Sequence, residues 1–274
     1  METEKKLLNL GCGKRYHKDW VNVDFYSDDK TIISTNLLNG IPFPDSTFDV
    51  VYHSHILEHF PKSEALNFMK ECYRVLKPGG TIRVVVPDLE RIVNEYTRLM
   101  AGLKSGKKEL DADYDWILLQ LFDQMARNVT GGEEKKYLSQ KHVPNEEYVY
   151  AQMGDSFREL RQFLFNQNYG VQPKKSIFKR KITLTKLINF VKSHVPIKEY
   201  RIGNFRLNGE THQWMYDSYS LNRLLLNAGF ENTEVAQANT SRVANWNSFE
   251  LDFKNGVVYK PDSLFMEATK PYKN

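Results

Sequence analysis

The fold is decided by residues 7–25, LLNLGCGKRYHKDWVNVDF, which read as a strand, a glycine turn, a short connection and a second strand. A short apolar run ends at Gly11 and Gly13, and Val21 and Val23 alternate into a second strand that stops at Asp24. Glycines after the first strand of such a unit let the backbone approach a ligand closely. An acid that ends the second strand can accept both hydroxyls of a ribose, so the stretch predicts a nucleoside-binding edge.

The same stretch argues against a nicotinamide-dependent dehydrogenase. The third glycine of the dinucleotide fingerprint is replaced by Tyr16. Asp24 follows Gly13 by eleven residues, whereas the acid of the nicotinamide pattern follows roughly 20 residues on. The nucleoside is therefore expected to be of another class.

Four segments in a fixed order carry a resemblance to a known family. They are LNLGCG (8–13), VNVD (21–24), IPFPDSTFDVVYHSHILEHF (41–60) and ECYRVLKPGGTIRVVVPD (71–88). Together they resemble the class I S-adenosylmethionine-dependent methyltransferases, and within them the type-11 group found beside surface-polysaccharide genes in bacteria. The resemblance implies an α/β fold, a Rossmann-like, doubly wound, seven-stranded and mainly parallel sheet, whose last two strands, near 234–236 and 264–268, pair antiparallel.

The resemblance also implies the cofactor, S-adenosyl-L-methionine, and the residues that hold it. Asp24 takes the ribose, Asn36 binds the adenine amine, Leu37 packs on the adenine ring, and His53 lies against the methionine end through its backbone. The full expected cofactor set is Gly11, Cys12, Gly13, Asp24, Phe25, Asn36, Leu37 and His53.

The family pattern is interrupted between Leu89 and about Asn208. Helical patterns at 89–103, 114–128, 155–168 and 181–193 predict an α-helical insertion. We expect a methyltransferase core formed by residues 1–88 and 209–274, with residues 89–208 as a cap over the mouth of the active site. Such a cap would exclude water from the reaction.

Histidines are the candidate bases, since methyl transfer to a hydroxyl requires removal of a proton near neutral pH. Four of the seven histidines fall in two short segments expected to border the mouth. His55, His212 and His59 are the predicted catalytic residues, and Glu58 either orients a histidine or is an ordinary solvated acid.

His55-Ile56-Leu57-Glu58-His59 also matches H-x-x-E-H, the pattern of an inverted zinc-protease helix. The segment directly follows a predicted parallel strand, and no third ligand stands out downstream. We therefore expect no metal site, and a zinc hydrolase remains the less favoured alternative. A noncatalytic protein that binds S-adenosylmethionine without turnover also remains open.

Composition and charge limit the partners and the compartment. The sequence has two cysteines, Cys12 and Cys72, begins with Met-Glu-Thr-Glu-Lys-Lys and contains no apolar run of about 18 residues, which predicts a cytoplasmic protein. Residues 173–201 carry nine Lys or Arg against one Glu. This basic run is interpreted as a solvated face, as a contact for an anionic substrate or membrane surface, or, least favoured, as a nucleic-acid patch.

The predicted acceptor is a small molecule or a glycan. By analogy with the resembled group, the expected reaction is O-methylation of a sugar, nucleotide sugar or glycan intermediate. A nucleic-acid acceptor is disfavoured, because the chain lacks the N/D-P-P-Y/F/W segment of enzymes that methylate exocyclic base amines.

Overall fold

The computed structural model describes residues 5–169 and 197–272, and a seven-stranded sheet forms their centre. Its strands are β1 (Leu7–Leu10), β2 (Val21–Asp24), β3 (Ile32–Ser34), β4 (Phe48–Ser54), β5 (Leu76–Pro87), β6 (Glu231–Ala236) and β9 (Ser263–Thr269). Two short strands, β7 (Phe253–Lys254) and β8 (Val257–Val258), form a separate hairpin.

The strand order across the sheet is β3-β2-β1-β4-β5-β9-β6. Strands β1 to β5 pair in parallel, and β9 runs antiparallel to both β5 and β6. The predicted seven-stranded, mainly parallel Rossmann-like sheet is confirmed, including its antiparallel last pair. The carboxyl ends of β1, β2, β4 and β5 therefore meet at one edge, where open α/β sheets bind ligands.

Eight described α-helices accompany the sheet. They are α1 (Lys62–Val75), α2 (Leu89–Lys104), α3 (Asp111–Ala126), α4 (Gly132–Leu138), α5 (Glu146–Met153), α6 (Asp155–Tyr169), α7 (Ile197–Arg206) and α8 (Ser218–Asn227). Helices α2, α3 and α6 correspond to predicted helical patterns. Helices α4, α5 and α7 were not predicted, and the pattern at 181–193 lies outside the described residues.

Local sequence explains where two of these helices begin. The Asp88 side chain accepts a hydrogen bond from the Arg91 amide at 3.1 Å and so caps α2 directly after β5. Asp217 and Ser220 form a reciprocal capping box at α8. The two caps lie close together, because Asp88 pairs with Tyr216, the residue before Asp217, in an isolated parallel bridge.

The two faces of the sheet are covered differently. One face packs against α1 and α8, where Met69, Cys72 and Leu221 are fully buried against Leu8 and Val84. The other face carries an aromatic cluster built around Trp20, Tyr52 and Trp246. The members of this second cluster lie in strands, in the 3₁₀ helix Trp246–Phe249 and in connecting segments. Residues 238–258 thus occupy a position where helices would be expected in a doubly wound fold.

No described helix is both long and apolar enough to cross a bilayer. Most of the basic run at 173–201, including residues 173–196, lies outside the described residues.

Candidate functional site

The glycine turn after β1 is joined to the end of β2 by a carboxylate. Gly11 and Gly13 both have positive φ, +61° and +52°, a conformation that glycine adopts without the penalty of a side chain. The Gly13 amide donates to Asp24 Oδ2 at 2.6 Å, and the Phe25 amide donates to Asp24 Oδ1 at 2.6 Å. The predicted ribose acceptor is therefore fixed beside the glycine turn, with lone pairs left for a ligand.

Gly11 is also required by packing. A Cβ placed on Gly11 would lie 1.9 Å from Ile56 Cδ1. Ile56 belongs to the loop after β4, so the glycine turn and the His55–His59 segment are in direct contact. The register agrees, since Leu10 pairs with His53 and both strands end at the same level.

Cys12 has a structural position in this turn. Its amide donates to the Val23 carbonyl at 3.0 Å, and its side chain is buried. Burial, with a smaller contribution from the Asp24 charge, raises the pKa of the Cys12 thiol to about 12. The thiol therefore stays protonated at neutral pH and is not a nucleophile.

The predicted adenine-binding residues lie near the ends of β2 and β3. The Asn36 side-chain oxygen already accepts the Leu38 amide at 3.0 Å, so an adenine amine would share that oxygen. Leu37 packs against the core, whereas Leu38 is 61% exposed and Phe25 is 69% exposed. The exposed apolar surface available to a base is thus offered by Phe25 and Leu38 rather than by Leu37.

His53 is not brought to the site through its side chain. The ring is fully buried against Phe68, with ring centroids 5.2 Å apart, and neither ring nitrogen has a hydrogen-bond partner. Burial lowers the pKa of His53 to about 4. Its backbone does lie at the edge beside Leu10, where the sequence predicted a contact with the cofactor.

A cavity of about 320 Å³ opens beside the loop after β4 and the segment before α8. Both the sheet edge and the inserted helices line it. The edge contributes His55, Glu58, His59, Pro87, His212, Met215, Lys260 and Asp262, and the insertion contributes Ile92, Gln120, Gln124, Arg127, Glu134, Met153 and Ser156. The three predicted catalytic histidines are therefore brought into one cavity, although His212 is more than 150 residues from the other two.

Glu58 is the centre of these histidines, and we call Glu58, His55, His59 and His212 the Glu58 cluster. The carboxylate is 0% exposed. His55 Nδ1 lies 3.1 Å and His212 Nε2 lies 3.9 Å from Glu58 Oε1, and the His59 and His212 ring centroids are 4.8 Å apart. Neither carboxylate oxygen receives a hydrogen bond of acceptable geometry, because the His55 contact meets only the distance of an ion pair.

The backbone holds this cluster together. The amides of Gln213 and Trp214 donate to the Glu58 carbonyl at 2.7 and 3.2 Å, and the His212 amide donates to the Gln124 carbonyl of α3 at 3.0 Å. The segment before α8 is thus tied on one side to the sheet edge and on the other to the insertion.

His55 occupies a constrained position. Its φ is +54°, in the left-handed region, where residues with a Cβ are uncommon and cluster at functional sites. Its Nε2 lies 2.9 Å from Ser263 Oγ. A carboxylate can only accept, so a hydrogen bond between His55 and Glu58 would use a proton on Nδ1 and leave Nε2 as the basic nitrogen.

The electrostatics of the cluster separate its members. Burial lowers the pKa of His212 to about 3, and burial together with the Lys260 charge lowers the pKa of His55. Burial alone would raise the pKa of Glu58, but His55, followed by the charges of His212 and His59, holds it below its usual value. At neutral pH the cavity therefore contains an ionised carboxylate beside neutral His55 and His212.

The zinc-protease pattern is not realised as a helix. Strand β4 ends at Ser54, His55 is left-handed, and only Leu57–His59 forms a 3₁₀ helix. His55 and His59 are therefore not neighbours on one helical face, which the H-x-x-E-H motif requires.

Sequence reasoning missed several lining groups. Lys260 and Asp262 directly precede β9, and Ser263, which begins β9, contacts His55 at 2.9 Å. Arg127 follows α3 and Glu134 lies in α4. Arg127 pairs with Asp123 and Glu134 at 2.6 and 2.9 Å. The order of residues along the chain held no signal for these positions, since they meet the cavity only through the tertiary fold.

Comparisons with known proteins agree with the geometry. Residues 14–84, about a quarter of the chain, match a family described as a methyltransferase domain. The ubiquinone/menaquinone biosynthesis C-methyltransferase UbiE of Neisseria meningitidis serogroup A is 29% identical over 168 residues, 54% of this chain and 61% of that protein. The demethylmenaquinone methyltransferase of Geobacillus sp. is 35% identical over 82 residues, 30% of this chain and 31% of that protein.

Two further matches are a curated protein and a solved structure. A probable S-adenosylmethionine-dependent methyltransferase of Mycolicibacterium smegmatis is 29% identical over 103 residues, 31% of this chain and 38% of that protein. The crystal structure of a SAM-dependent methyltransferase from Archaeoglobus fulgidus aligns over 98% of this chain and 87% of its own, at 12% identity and a TM-score of 0.38. The chain spans less than two thirds of the length of the three curated relatives, and it matches the methyltransferase-domain family over residues 14–84.

Proposed function

We propose that this protein is an S-adenosylmethionine-dependent methyltransferase that methylates a polar small-molecule or glycan acceptor. The observation that carries the proposal is the hydrogen bond of 2.6 Å between the Gly13 amide and Asp24, at the edge that also carries the His-lined cavity. The glycine turn contacts Ile56, which is the chain neighbour of His55 in the cavity wall. The match of residues 14–84 to methyltransferase domains supports the same function.

The residues at the edge fit this cofactor. Asp24 is partly exposed beside the glycine turn, Gly11 and Gly13 have positive φ, and a Cβ on Gly13 would meet nothing within 4 Å. Phe25 and Leu38 offer apolar surface for the adenine. The His53 backbone lies beside Leu10 at the same edge, where the family resemblance implies a contact with the cofactor.

When bound, S-adenosylmethionine supplies a methyl group already activated on a positively charged sulfur. The chain's own residues then need to orient the acceptor, exclude water and remove a proton. His55 is the proposed base through Nε2, because the 3.1 Å approach of Nδ1 to Glu58 favours the tautomer with its proton on Nδ1, and burial lowers the pKa of the ring. Ser263 Oγ lies 2.9 Å from His55 Nε2, and the acceptor hydroxyl would displace it from that nitrogen.

Residues 89–208 act as the cap in this proposal, over a core of residues 1–88 and 209–274. The support is that α2, α3, α4 and α5 each contribute side chains to the cavity wall. Their position allows them to keep water from the transferring methyl group. The basic run at 173–201 falls within this range, and its charge supports a proposed contact with an anionic partner.

The lining favours an acceptor rich in hydroxyls. Gln120, Gln124, Lys260 and Asp262 supply donors and acceptors around the cavity, which suits a sugar, nucleotide sugar or glycan intermediate better than an apolar ring with a long tail. The curated relatives UbiE and demethylmenaquinone methyltransferase act, by their names, in quinone biosynthesis. C-methylation of such a ring is the competing reaction, and the acceptor assay described below separates the two.

The first test measures binding of S-adenosylhomocysteine, the demethylated product, by calorimetry. Asp24→Ala should weaken binding by about 10- to 100-fold, because hydrogen bonds to a charged group contribute about 1.5–3 kcal/mol. Asp28→Ala is the matched control, since Asp28 is exposed and bonds to Tyr26. Equal affinity of Asp24→Ala and wild type would remove this edge from the cofactor site.

Transfer of labelled methyl to panels of sugars, nucleotide sugars and quinols then tests turnover. The proposal expects product with a hydroxyl-rich acceptor and a reduction of about 10²- to 10⁴-fold in His55→Asn. Cofactor binding without product from any acceptor would favour the noncatalytic alternative.

A further inference from the structure

Glu58, His59 and His212 present ligand atoms to one point of the cavity. One nitrogen or oxygen atom from each residue lies within 4.8 Å of the others. Among residues 5–169 and 197–272, these three residues form the group of His, Cys, Asp or Glu side chains that could hold a metal ion. Ligand atoms of a single bound ion are separated by about 3–4 Å, given metal–ligand bonds near 2 Å. Small side-chain rotations would therefore bring all three donors to one ion.

Buried polar atoms of these three residues lack hydrogen-bond partners. Both Glu58 oxygens, His59 Nδ1 and His212 Nδ1 are buried without a hydrogen bond. Buried polar groups are nearly always paired, because leaving one unpaired costs the full loss of its hydration. Several orphaned groups converging on one cavity indicate that something absent from the protein chain completes the cluster.

The missing partner should be a cation. Glu58 contributes two orphaned carboxylate oxygens at 0% exposure, and the imidazoles of His59 and His212 beside them are of the type that binds a metal ion. Lys260 lines the same cavity but forms no ion pair with Glu58 within 4 Å.

We propose that Glu58, His59 and His212 form the binding site of one divalent transition-metal ion, with His55 and the cavity completing its surroundings. Two imidazoles and one carboxylate suit Zn²⁺, Fe²⁺ or Mn²⁺, whereas Mg²⁺ and Ca²⁺ prefer oxygen-only sites. Three protein ligands leave coordination positions open toward the cavity, as in catalytic rather than structural metal sites. The assignment departs from the sequence-based expectation of no metal site.

This site differs from that of a zinc protease. His55 is not a ligand; its Nδ1 lies 3.1 Å from Glu58 and so orients the carboxylate from outside the coordination sphere. Glu58 is a ligand rather than the general base of a hydrolase. The third donor, His212, comes from the segment after the insertion, which explains why the motif alone missed the site.

The catalytic role of the ion rests on the proposed function. An acceptor hydroxyl that coordinates the ion becomes more acidic, since a bound cation stabilises the developing oxygen charge. The O–H bond breaks and the proton moves to His55 Nε2. The oxygen electron pair then forms the O–CH₃ bond as the S–CH₃ bond breaks, which leaves S-adenosylhomocysteine.

The test is calorimetric titration of chelator-stripped full-length protein with Zn²⁺ and, separately, Mn²⁺. Wild type should bind one equivalent, and Glu58→Gln and His212→Asn should each weaken binding by more than about 100-fold, since even outer partners of metal ligands contribute 10- to 100-fold. His142→Asn is the matched control, because His142 is exposed in the insertion. It should bind as wild type does.

A second readout keeps the outcome independent of folding and of the proposed function. Each variant is also titrated with S-adenosylhomocysteine, whose affinity should stay within about twofold because Asp24 and the glycine turn are unchanged. Absence of saturable metal binding in wild type, or equal binding in the Glu58 and His212 variants, would overturn the metal site while the methyltransferase proposal stands. Specific metal binding with no S-adenosylhomocysteine binding would instead keep the site and reject the methyltransferase.

Discussion

Two buried charged clusters lie on the same sheet, and their hydrogen bonding is opposite. Arg83, in the middle of β5, is 0% exposed and donates to Asp252 at 2.8 Å, to Glu267 at 2.7 Å and to the carbonyls of Thr240 and Gln237 at 3.0 and 2.8 Å. Tyr52 and the Arg242 amide bond the remaining carboxylate oxygens at 2.6 and 2.8 Å. We call Arg83, Asp252, Glu267 and Tyr52 the Arg83 cluster.

The Glu58 cluster has the reverse character, because its carboxylate oxygens and two of its histidine nitrogens lack partners. A fully satisfied buried network rigidifies a structure, and an unsatisfied one is a place for a ligand. The Arg83 cluster fastens residues 237–252 over the aromatic face of the sheet, whereas the Glu58 cluster lies at the edge where ligands bind. Satisfaction of hydrogen bonds, more than burial of charge, therefore distinguishes the structural Arg83 cluster from the Glu58 cluster, for which we propose a functional role.

The largest expected effect on stability comes from breaking the Arg83 cluster. Arg83→Met would leave Asp252 and Glu267 buried without their cation, so the free energy of unfolding should fall by about 3–5 kcal/mol. Urea unfolding measures the change. Arg98→Met is the control, since Arg98 is 55% exposed and pairs with Glu95 on the surface of α2; that substitution should cost about 0.5 kcal/mol or less. Similar losses in both variants would contradict the structural role of the cluster.

An intermediate effect is expected at low pH from His53. Burial lowers its pKa from 6.5 to about 4, so the unfolded chain binds a proton more readily than the folded one. The stability linked to His53 is complete above pH 6.5 and is lost as the pH falls from 6.5 toward 4, by up to about 3 kcal/mol.

His53→Leu should remove that part of the acid sensitivity with little loss at pH 7, because neither ring nitrogen has a partner to lose. Unfolding curves at pH 7, 5.5 and 4.5 measure this, and exposed His142→Leu serves as the control. An unchanged pH dependence in His53→Leu would show that protonation of His53 is not linked to folding.

The sequence predicted the sheet well because local patterns determine it. Alternation at Val21 and Val23, the apolar run at Val84–Val86 and the glycines after β1 act within a few residues, and the strands formed where they indicated. The cover of the second face was not predictable. Trp246 and residues around it have no strong helical or strand period, and their place is fixed by contact with Trp20 and Tyr52.

The candidate site was predictable only in part for the same reason. His55, His59 and His212 line one cavity in the structure, and their catalytic role stays a prediction. The central role of Glu58 and the contact with Ser263 depend on distances across 150 to 210 positions of sequence. A motif of five residues cannot carry that information. Residues 55–59 therefore also match the pattern of a zinc-protease helix, which the chain does not form.

The most direct test of the account uses one substitution, Glu58→Gln, and three measurements on the same protein. The free energy of unfolding should change by about 1 kcal/mol or less, because the amide keeps the shape and no hydrogen bond to the carboxylate is lost. The affinity for S-adenosylhomocysteine should stay within about twofold, and transfer of labelled methyl to the acceptor found in the screen should fall by about 100-fold or more. A variant that transfers methyl at the wild-type rate, or that loses activity only in proportion to lost stability, would contradict the claim that the unsatisfied Glu58 cluster is the functional centre.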